Sequence, residues 1–271
     1  MRNLVISFSG GETSAYMTHL LLSRYRSWYR DIVVVFANTG QENEETLNFV
    51  YDCDRLMGFN TVWVEAEVHA AMRVGTTHRV VTFETANGDG APYEAVIRKY
   101  GIPNAKFPHC TRELKERPIK SYIRSLGWKL GEYDLAIGIR ADEAGRVDTH
   151  KAEIIYPLLH WHPTTKEMVG DFWAAQSFRL YLEGYRGNCC WCWKKSTRKL
   201  VRILRETPDV FEFPARMEAK YGTIGPEFAK KTAPGYRRTF FRGNQSVDNL
   251  RALQTVDDVH DGCQESCEIS W

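Results

Sequence analysis

Two stretches of this 271-residue chain combine residue types and spacings that could do chemistry. The first is Ser9-Gly10-Gly11-Glu12-Thr13-Ser14, which ends the apolar run Leu4-Val5-Ile6-Ser7-Phe8 and opens a segment of helix formers from Thr13 to Arg26. A strand, a glycine turn and a helix in that order present unpaired N–H groups at the positive end of a helix dipole, which suits an anion. Glycine lets the backbone approach a phosphate, and the Ser9 and Ser14 hydroxyls add donors. It is not a Walker loop, because no Gly-Lys-Ser/Thr follows at the required spacing. The second stretch is Gly187-Asn188-Cys189-Cys190-Trp191-Cys192-Trp193-Lys194-Lys195. Its Cys189-x-x-Cys192 spacing is that of a metal-binding knuckle, and one such pair supplies half of a tetrahedral site. Zinc, an iron–sulfur cluster or buried reduced thiols are all compatible with it.

The seven cysteines are an odd number, and three crowd into four positions, which suits metal or redox chemistry better than a secreted disulfide framework. Cys263 and Cys267 lie in an acidic tail, and Cys53 falls inside a helical stretch, where packing is its expected role. Lys+Arg at 36 against Asp+Glu at 34 leaves a net charge of +2, which excludes a protein that coats nucleic acid by bulk charge. Hydrophobic residues at 43% and charged residues at 26% predict a packed globular core rather than disorder. Apolar stretches such as Ile32–Ala37 are far shorter than the ~20 residues that span a bilayer, so no membrane segment and a cytoplasmic location are expected.

The elements that must position these residues alternate. Leu4–Phe8, Asp31–Ala37, Thr61–Glu65, Asp134–Ile139 and Ile154–Tyr156 read as strands, several of the continuous apolar kind found in sheets covered on both faces. Helices are expected over Glu44–Met57, Pro92–Tyr100, Thr111–Leu126 and Lys195–Glu206. The pattern predicts an α/β fold: an open, mostly parallel five-stranded sheet with helices on both faces, plus a helical C-terminal extension. The expected division is a nucleotide-binding domain, 1–160, and a helical cysteine-rich region with a tail, 161–271. Residues Thr76-Thr77-His78-Arg79 read as a loop that could contact phosphate, and His160-Trp161-His162 as a turn with exposed rings.

Ser9-Gly10-Gly11-x-x-Ser14 resembles the PP-loop of N-type ATP pyrophosphatases and of phosphoadenosine phosphosulfate (PAPS) reductases. Asn38-Thr39-Gly40-Gln41-Glu42 with Glu45-Thr46 is similar to the Asp/Asn-Thr-Gly segment of the reductases, and Gly138-Ile139-Arg140-Ala141-Asp142-Glu143 to their Gly-x-Arg-x-x-Glu segment. His109-Cys110-Thr111-Arg112 through Pro118-Ile119 resembles the Cys-Cys-x-x-Arg-Lys-x-x-Pro-Leu segment of the iron–sulfur sulfonucleotide reductases, with His109 in place of the first cysteine. The resemblance spans roughly residues 1 to 200. It implies an adenine nucleotide (PAPS, adenosine phosphosulfate or ATP with Mg) held by Ser9, Gly10, Gly11, Thr13, Ser14, Asn38, Thr39, Gly40, Gly138, Arg140 and Glu143. It also implies a 4Fe-4S cluster, with zinc as the alternative, on Cys110, Cys189 and Cys192, leaving Cys190, His109 or a tail cysteine for the fourth position. Lys194, Lys195, Arg198 and Lys199 could stabilise an anionic cluster.

The chemistry so implied is thiol-dependent reduction of a sulfonucleotide to sulfite. Cys263 or Cys267 would be the nucleophile, Arg140 would add positive charge, and a thiol reductant such as thioredoxin would be the partner of an enzyme expected to be a homo-oligomer. Glu12 and Thr13 stand where many ATP-splitting members carry Lys and Asp, which removes a cation from the turn. The rival is ATP-dependent adenylation with sulfur transfer to a nucleic-acid base or small molecule. The basic and aromatic stretch Lys230-Lys231 with Tyr236–Arg242 could serve it by charge and stacking, although packing over the core is its expected role. A third reading is a non-catalytic zinc-containing nucleotide-binding regulator.

Overall fold

The computed structural model describes residues 1–71, 73–148, 150–224 and 236–253. All five residues of β1 (Asn3–Ser7) are buried, as expected for a strand covered on both faces. The chain continues through α1 (Glu12–Arg24), β2 (Ile32–Asn38), α2 (Glu44–Met57), β3 (Val62–Glu67), β4 (Thr77–Val81) and α3 (Ala91–Tyr100). A single turn, α4 (His109–Thr111), runs through a π-helical turn (Arg112–Glu116) into α5 (Arg117–Ser125). Then follow β5 (Tyr133–Ala136), β6 (Ile154–Ile155), α6 (Pro157–His160), α7 (Lys166–Ala174), α8 (Thr197–Glu206), α9 (Glu212–Tyr221) and α10 (Val247–Leu253).

The sheet order is β4-β3-β2-β1-β5-β6, with every pairing parallel except β3 with β4. The five parallel strands are those legible in the sequence, and β4 adds a sixth at the edge. Its five residues include no fully buried one and no continuous apolar run, so the sequence carried little strand signal there. Its side chains also correct the reading of Thr76–Arg79 as a phosphate loop. Thr76 Oγ1 donates to buried Glu113 at 2.5 Å, His78 Nδ1 lies 2.9 Å from Ser121 Oγ, and Arg79 pairs with Glu65 at 2.6 Å.

Period-two alternation divides the strands between two cores. Leu4, Ile6, Val34 and Phe36 pack with α1, α2 and Trp173 of α7, whereas Val5, Val35, Val64 and Leu135 pack against Ile119 and Ile123 of α5. A third core joins α3 and the Cys189–Trp193 turn to α8, α9, α10, Phe240 and Phe241. The connections from β1 run toward β3 on one side, and β5 and β6 occupy the other side. That reversal falls between β1 and β5, the topological position whose carboxyl ends bind ligands in open α/β sheets.

Candidate functional site

At the end of β1 the chain turns through Gly10 at φ +80°, where a Cβ would lie 2.6 Å from Thr46 Cγ2 and 3.1 Å from Phe36 Cε2. Glycine is therefore required both by conformation and by space. Gly11 is the N-cap of α1 and no side chain caps the helix. Ser14 Oγ accepts from Ser9 N–H at 3.2 Å, donates to Gly11 O at 2.9 Å and lies 2.9 Å from Ser9 Oγ. The two serines close the turn on itself, and the first-turn amides of α1 carry no side-chain cap, with the dipole behind them.

The end of β5 packs against this turn, since a Cβ on Gly138 would come within 3.2 Å of Ser14 Cα. Arg140 then reaches back, donating from Nη1 to Thr13 Oγ1 at 3.0 Å. The same guanidinium donates to both Asp142 carboxylate oxygens, at 3.0 and 3.1 Å, and lies 3.2 Å from Glu143, which also binds Arg146 at 2.7 Å. Arg140 is thus held in place by two carboxylates while one arm touches the glycine turn. Glu143 orients arginines.

The end of β2 performs a different task. Asn38 is fully buried, and its amide donates to Glu65 and to Asn87 O, each at 2.8 Å, while its oxygen accepts from Gly40 N–H at 3.1 Å. Its hydrogen-bonding capacity is spent on shaping the turn. Gly40 has φ +78°, with Asn87 Oδ1 2.7 Å from a notional Cβ. Thr39 faces the other way. Its hydroxyl donates to the buried Glu42 carboxylate and lies 3.6 Å from Cys189 Sγ. Backbone pairing of Glu42 with Cys189, a 2.8 Å bond from Cys190 N to Gln41 O, and a 2.5 Å bond from Trp191 Nε1 to Gln41 Oε1 fasten the cysteine turn to this segment.

Cys110, Cys189 and Cys192 line one cavity of about 40 Å³ together with Thr39, Tyr93, Leu114, Lys115, Asn188 and Lys194. That volume is about three times what a single water needs. Burial pushes the Cys110 thiol up, with Cys192 adding to the effect, and burial and then the Glu42 charge do the same to Cys189. Thiols held neutral in this way are poor nucleophiles, but a metal would displace their protons. Among the described residues no group of three or more His, Cys, Asp or Glu is arranged to hold a metal ion.

Two candidates for a fourth position do not line the cavity. His109 Nε2 lies 3.0 Å from Gly101 O, and burial pulls its pKa down to about 4; the ring packs beside Tyr100. Cys190 is half-buried with its thiol pushed up to about 11 by burial. Cys263 and Cys267 lie outside the described residues. Of the neighbouring cations, Lys194 lines the cavity, whereas Lys195 is buried and donates to the carbonyls of Gly187 and Cys189, bracing the cysteine turn. Cys53 is buried in the core between α2 and the sheet.

Sequence reasoning missed Tyr93, Trp193 and Lys115. Trp193 Nε1 and the Tyr93 hydroxyl both hydrogen-bond Cys110, the former at 3.4 Å. Lys115 reaches the cavity from the π-helical turn, where Arg117 N–H bonds the Arg112 carbonyl five residues back. Pro118 was the available signal: it has no N–H for the Leu114 carbonyl and its ring crowds that group, so an ordinary helix cannot continue through it. The basic and aromatic stretch is consumed by the core as far as it is described. Phe240 and Phe241 are buried and Arg238 stacks 3.9 Å above Phe107, while Lys230 and Lys231 lie outside the described residues. Trp161 is half-buried against Tyr25 and Trp28 rather than exposed. No helix among the described residues is long and apolar enough to cross a membrane.

The profile of the phosphoadenosine phosphosulfate reductase domain matches residues 3–191. An uncharacterised nin region protein of Escherichia phage lambda is 28% identical over 286 residues, covering 98% of this chain and 94% of its own. An uncharacterised protein of Methanocaldococcus jannaschii is 25% identical over 241 residues, covering 84% of this chain and 42% of its own, so this chain spans less than half of that relative.

Proposed function

The chain belongs to the phosphoadenosine phosphosulfate reductase family, and on that premise we propose that it is a cytoplasmic enzyme that reduces a sulfonucleotide to sulfite with a thiol. Residues 1–160 bind the adenine nucleotide and residues 161–271 bring the cysteine turn and the tail. The observation that carries this reading is the contact between its two halves: Thr39, one segment removed from the phosphate turn, stands 3.6 Å from Cys189. The amides of residues 10–14, with Ser9 and Thr13, hold the anionic group, and Arg140 adds charge from the β5 side. Gly138 lets that strand end come close.

In the reaction a thiolate from Cys263 or Cys267 attacks the sulfonyl sulfur. A sulfur–sulfur bond forms as the sulfur–oxygen bond breaks, and the adenosine phosphate leaves with that electron pair. A thiol of a thioredoxin-like reductant then attacks the enzyme sulfur, sulfite leaves, and the two thiols end as a disulfide. Cys110, Cys189 and Cys192 would hold a 4Fe-4S cluster, whose irons supply Lewis acidity and redox capacity when bound. Thiols from two separate stretches of chain lining one cavity are the donor set that such a cluster would use. Lys115 and Lys194 offset its negative charge.

Anaerobic purification followed by iron, zinc and sulfide analysis tests the cavity. Brown protein with iron and acid-labile sulfide is expected, and colourless protein with stoichiometric zinc would reject the cluster. Incubation with labelled PAPS or adenosine phosphosulfate and a thiol reductant should release sulfite. One observation favours the adenylating sulfurtransferase as a second reading: among the described residues three cysteines line the cavity, which would leave an iron open for sulfur. Pyrophosphate release from ATP in place of sulfite would select that reaction.

A further inference from the structure

A carboxylate at the first residue of a helix competes with any anion that the helix amides would bind. Glu12 is such a residue, and it sits within one ~5.4 Å turn of the amides of the phosphate turn. The structure supplies its counter-charge from 167 positions away. Arg179, in the irregular segment after α7, donates Nε to Glu12 Oε1 at 3.2 Å and Nη2 to Oε2 at 3.4 Å. The Leu180 N–H also bonds this carboxylate, and Trp173 Nε1 donates to the Glu12 carbonyl at 2.9 Å. The first turn of α1 is therefore flanked by two guanidiniums, Arg140 on the Thr13 side and Arg179 on the Glu12 side.

The two are not equivalent. Arg140 is already matched by both Asp142 and Glu143, whereas Arg179 is paired with Glu12 alone among the described residues. Arg179 is also the more exposed, with 40% of its side chain open against 12% for Arg140. Resting on the nucleotide-binding reading above, we propose that Arg179 is a second cation of the phosphate turn, beside Arg140, and the one that is not already matched by two carboxylates. It sets the affinity of that site for a polyanionic nucleotide, and Glu12 is the positioning residue that draws it to the turn. The turn with its Glu12–Arg179 pair is electrically neutral; without Arg179 it carries a net negative charge facing the ligand, and without the Glu12 charge it carries a net positive one.

Calorimetric binding of PAPS, ATP and adenosine to the full chain, with melting temperatures recorded alongside, tests this. Arg179→Ala should weaken PAPS and ATP by about tenfold or more and adenosine far less, and Arg179→Lys should restore part of the loss because it keeps charge but not the fork. Glu12→Gln should bind PAPS and ATP at least as tightly as the native chain, with a steeper salt dependence. A purely structural tie between α1 and the 173–180 segment gives a different pattern: Glu12→Gln and Arg179→Ala lose affinity together, in step with their melting temperatures. That result, or Arg179→Ala binding like the native chain, overturns the proposal while leaving the nucleotide reading intact. A native chain that binds neither PAPS nor ATP overturns both.

Discussion

The phosphate turn and the cysteine cavity lie side by side but are built in opposite ways. The turn is six consecutive residues whose shape follows from two glycines, two serines and the start of a helix. The cavity collects side chains from the β2 loop, α3, α4, the π-helical turn and the 187–195 turn, with Trp193 and Cys110 83 positions apart. A locally encoded turn keeps its shape when distant contacts are lost, because the backbone itself supplies the donors, even where a distant side chain such as Arg179 tunes its charge. An assembled site does not, since each thiol is placed by a different packing surface. Asn38–Glu42, at the end of the neighbouring strand β2, shapes its own turn through Asn38 and clasps the cysteine turn through Gln41 and Glu42.

The largest effect expected from breaking this contrast is at the cavity. Cys110→Ser should abolish iron retention, read by metal analysis and visible absorption, while nucleotide binding measured by calorimetry stays near native. Loss of both together would show that the two sites are not separable. Gly10→Ala makes the complementary break. A Cβ meeting Thr46 at 2.6 Å, at a φ that alanine resists, should cost roughly 2–4 kcal/mol in denaturant unfolding and remove nucleotide binding.

A smaller effect is expected of Ser14→Ala. It leaves Ser9 N–H without its partner in the turn, at about 1–2 kcal/mol in chemical denaturation, and loosens nucleotide affinity without touching metal content. The smallest probes the long-range assembly alone. Glu218 on α9 accepts from Phe240 N–H at 3.0 Å and Val247 N–H at 2.9 Å, and burial pushes its carboxyl up from 4.5 to about 7. The folded state therefore holds the proton that the unfolded chain releases first. The stability so contributed is fully present below the unfolded value and lost as pH rises through about 7. Amide protection factors in α9 and α10, which remove the base-catalysed rise in intrinsic exchange, should fall over that window while those of α1 hold, and Glu218→Gln should flatten the slope. An equal loss of protection in α1 would count against the separation of the two regions.

The same contrast explains what could be read from residues alone. The five parallel strands announced themselves as apolar runs, and α2 (Glu44–Met57) stops at Gly58, whose left-handed conformation is a local signal. Strand β4 was illegible because an exposed edge strand needs only a neighbour's ladder, not an apolar pattern. At the site, the glycine turn over Ser9, Gly10, Gly11 and Ser14 at the start of α1 was legible. That Asn38 would be consumed by Glu65 and Asn87, and His109 by Gly101, was not, since both partners come from other elements. Likewise the aromatic residues after Tyr236 carried the composition of a binding arm, yet Phe240 and Phe241 are buried in the third core.

By itself, then, the sequence determined the alternation of strands and helices, the glycine turn and the Cys-x-x-Cys knuckle, because each follows from neighbours along the chain and short-range sterics. Tertiary structure alone decided that Cys110 shares a cavity with Cys189 and Cys192, that Tyr93 and Trp193 bond its sulfur, and that Arg179 neutralises Glu12. Those facts depend on how packed surfaces meet, and spacing along a chain does not fix which distant groups burial will bring together.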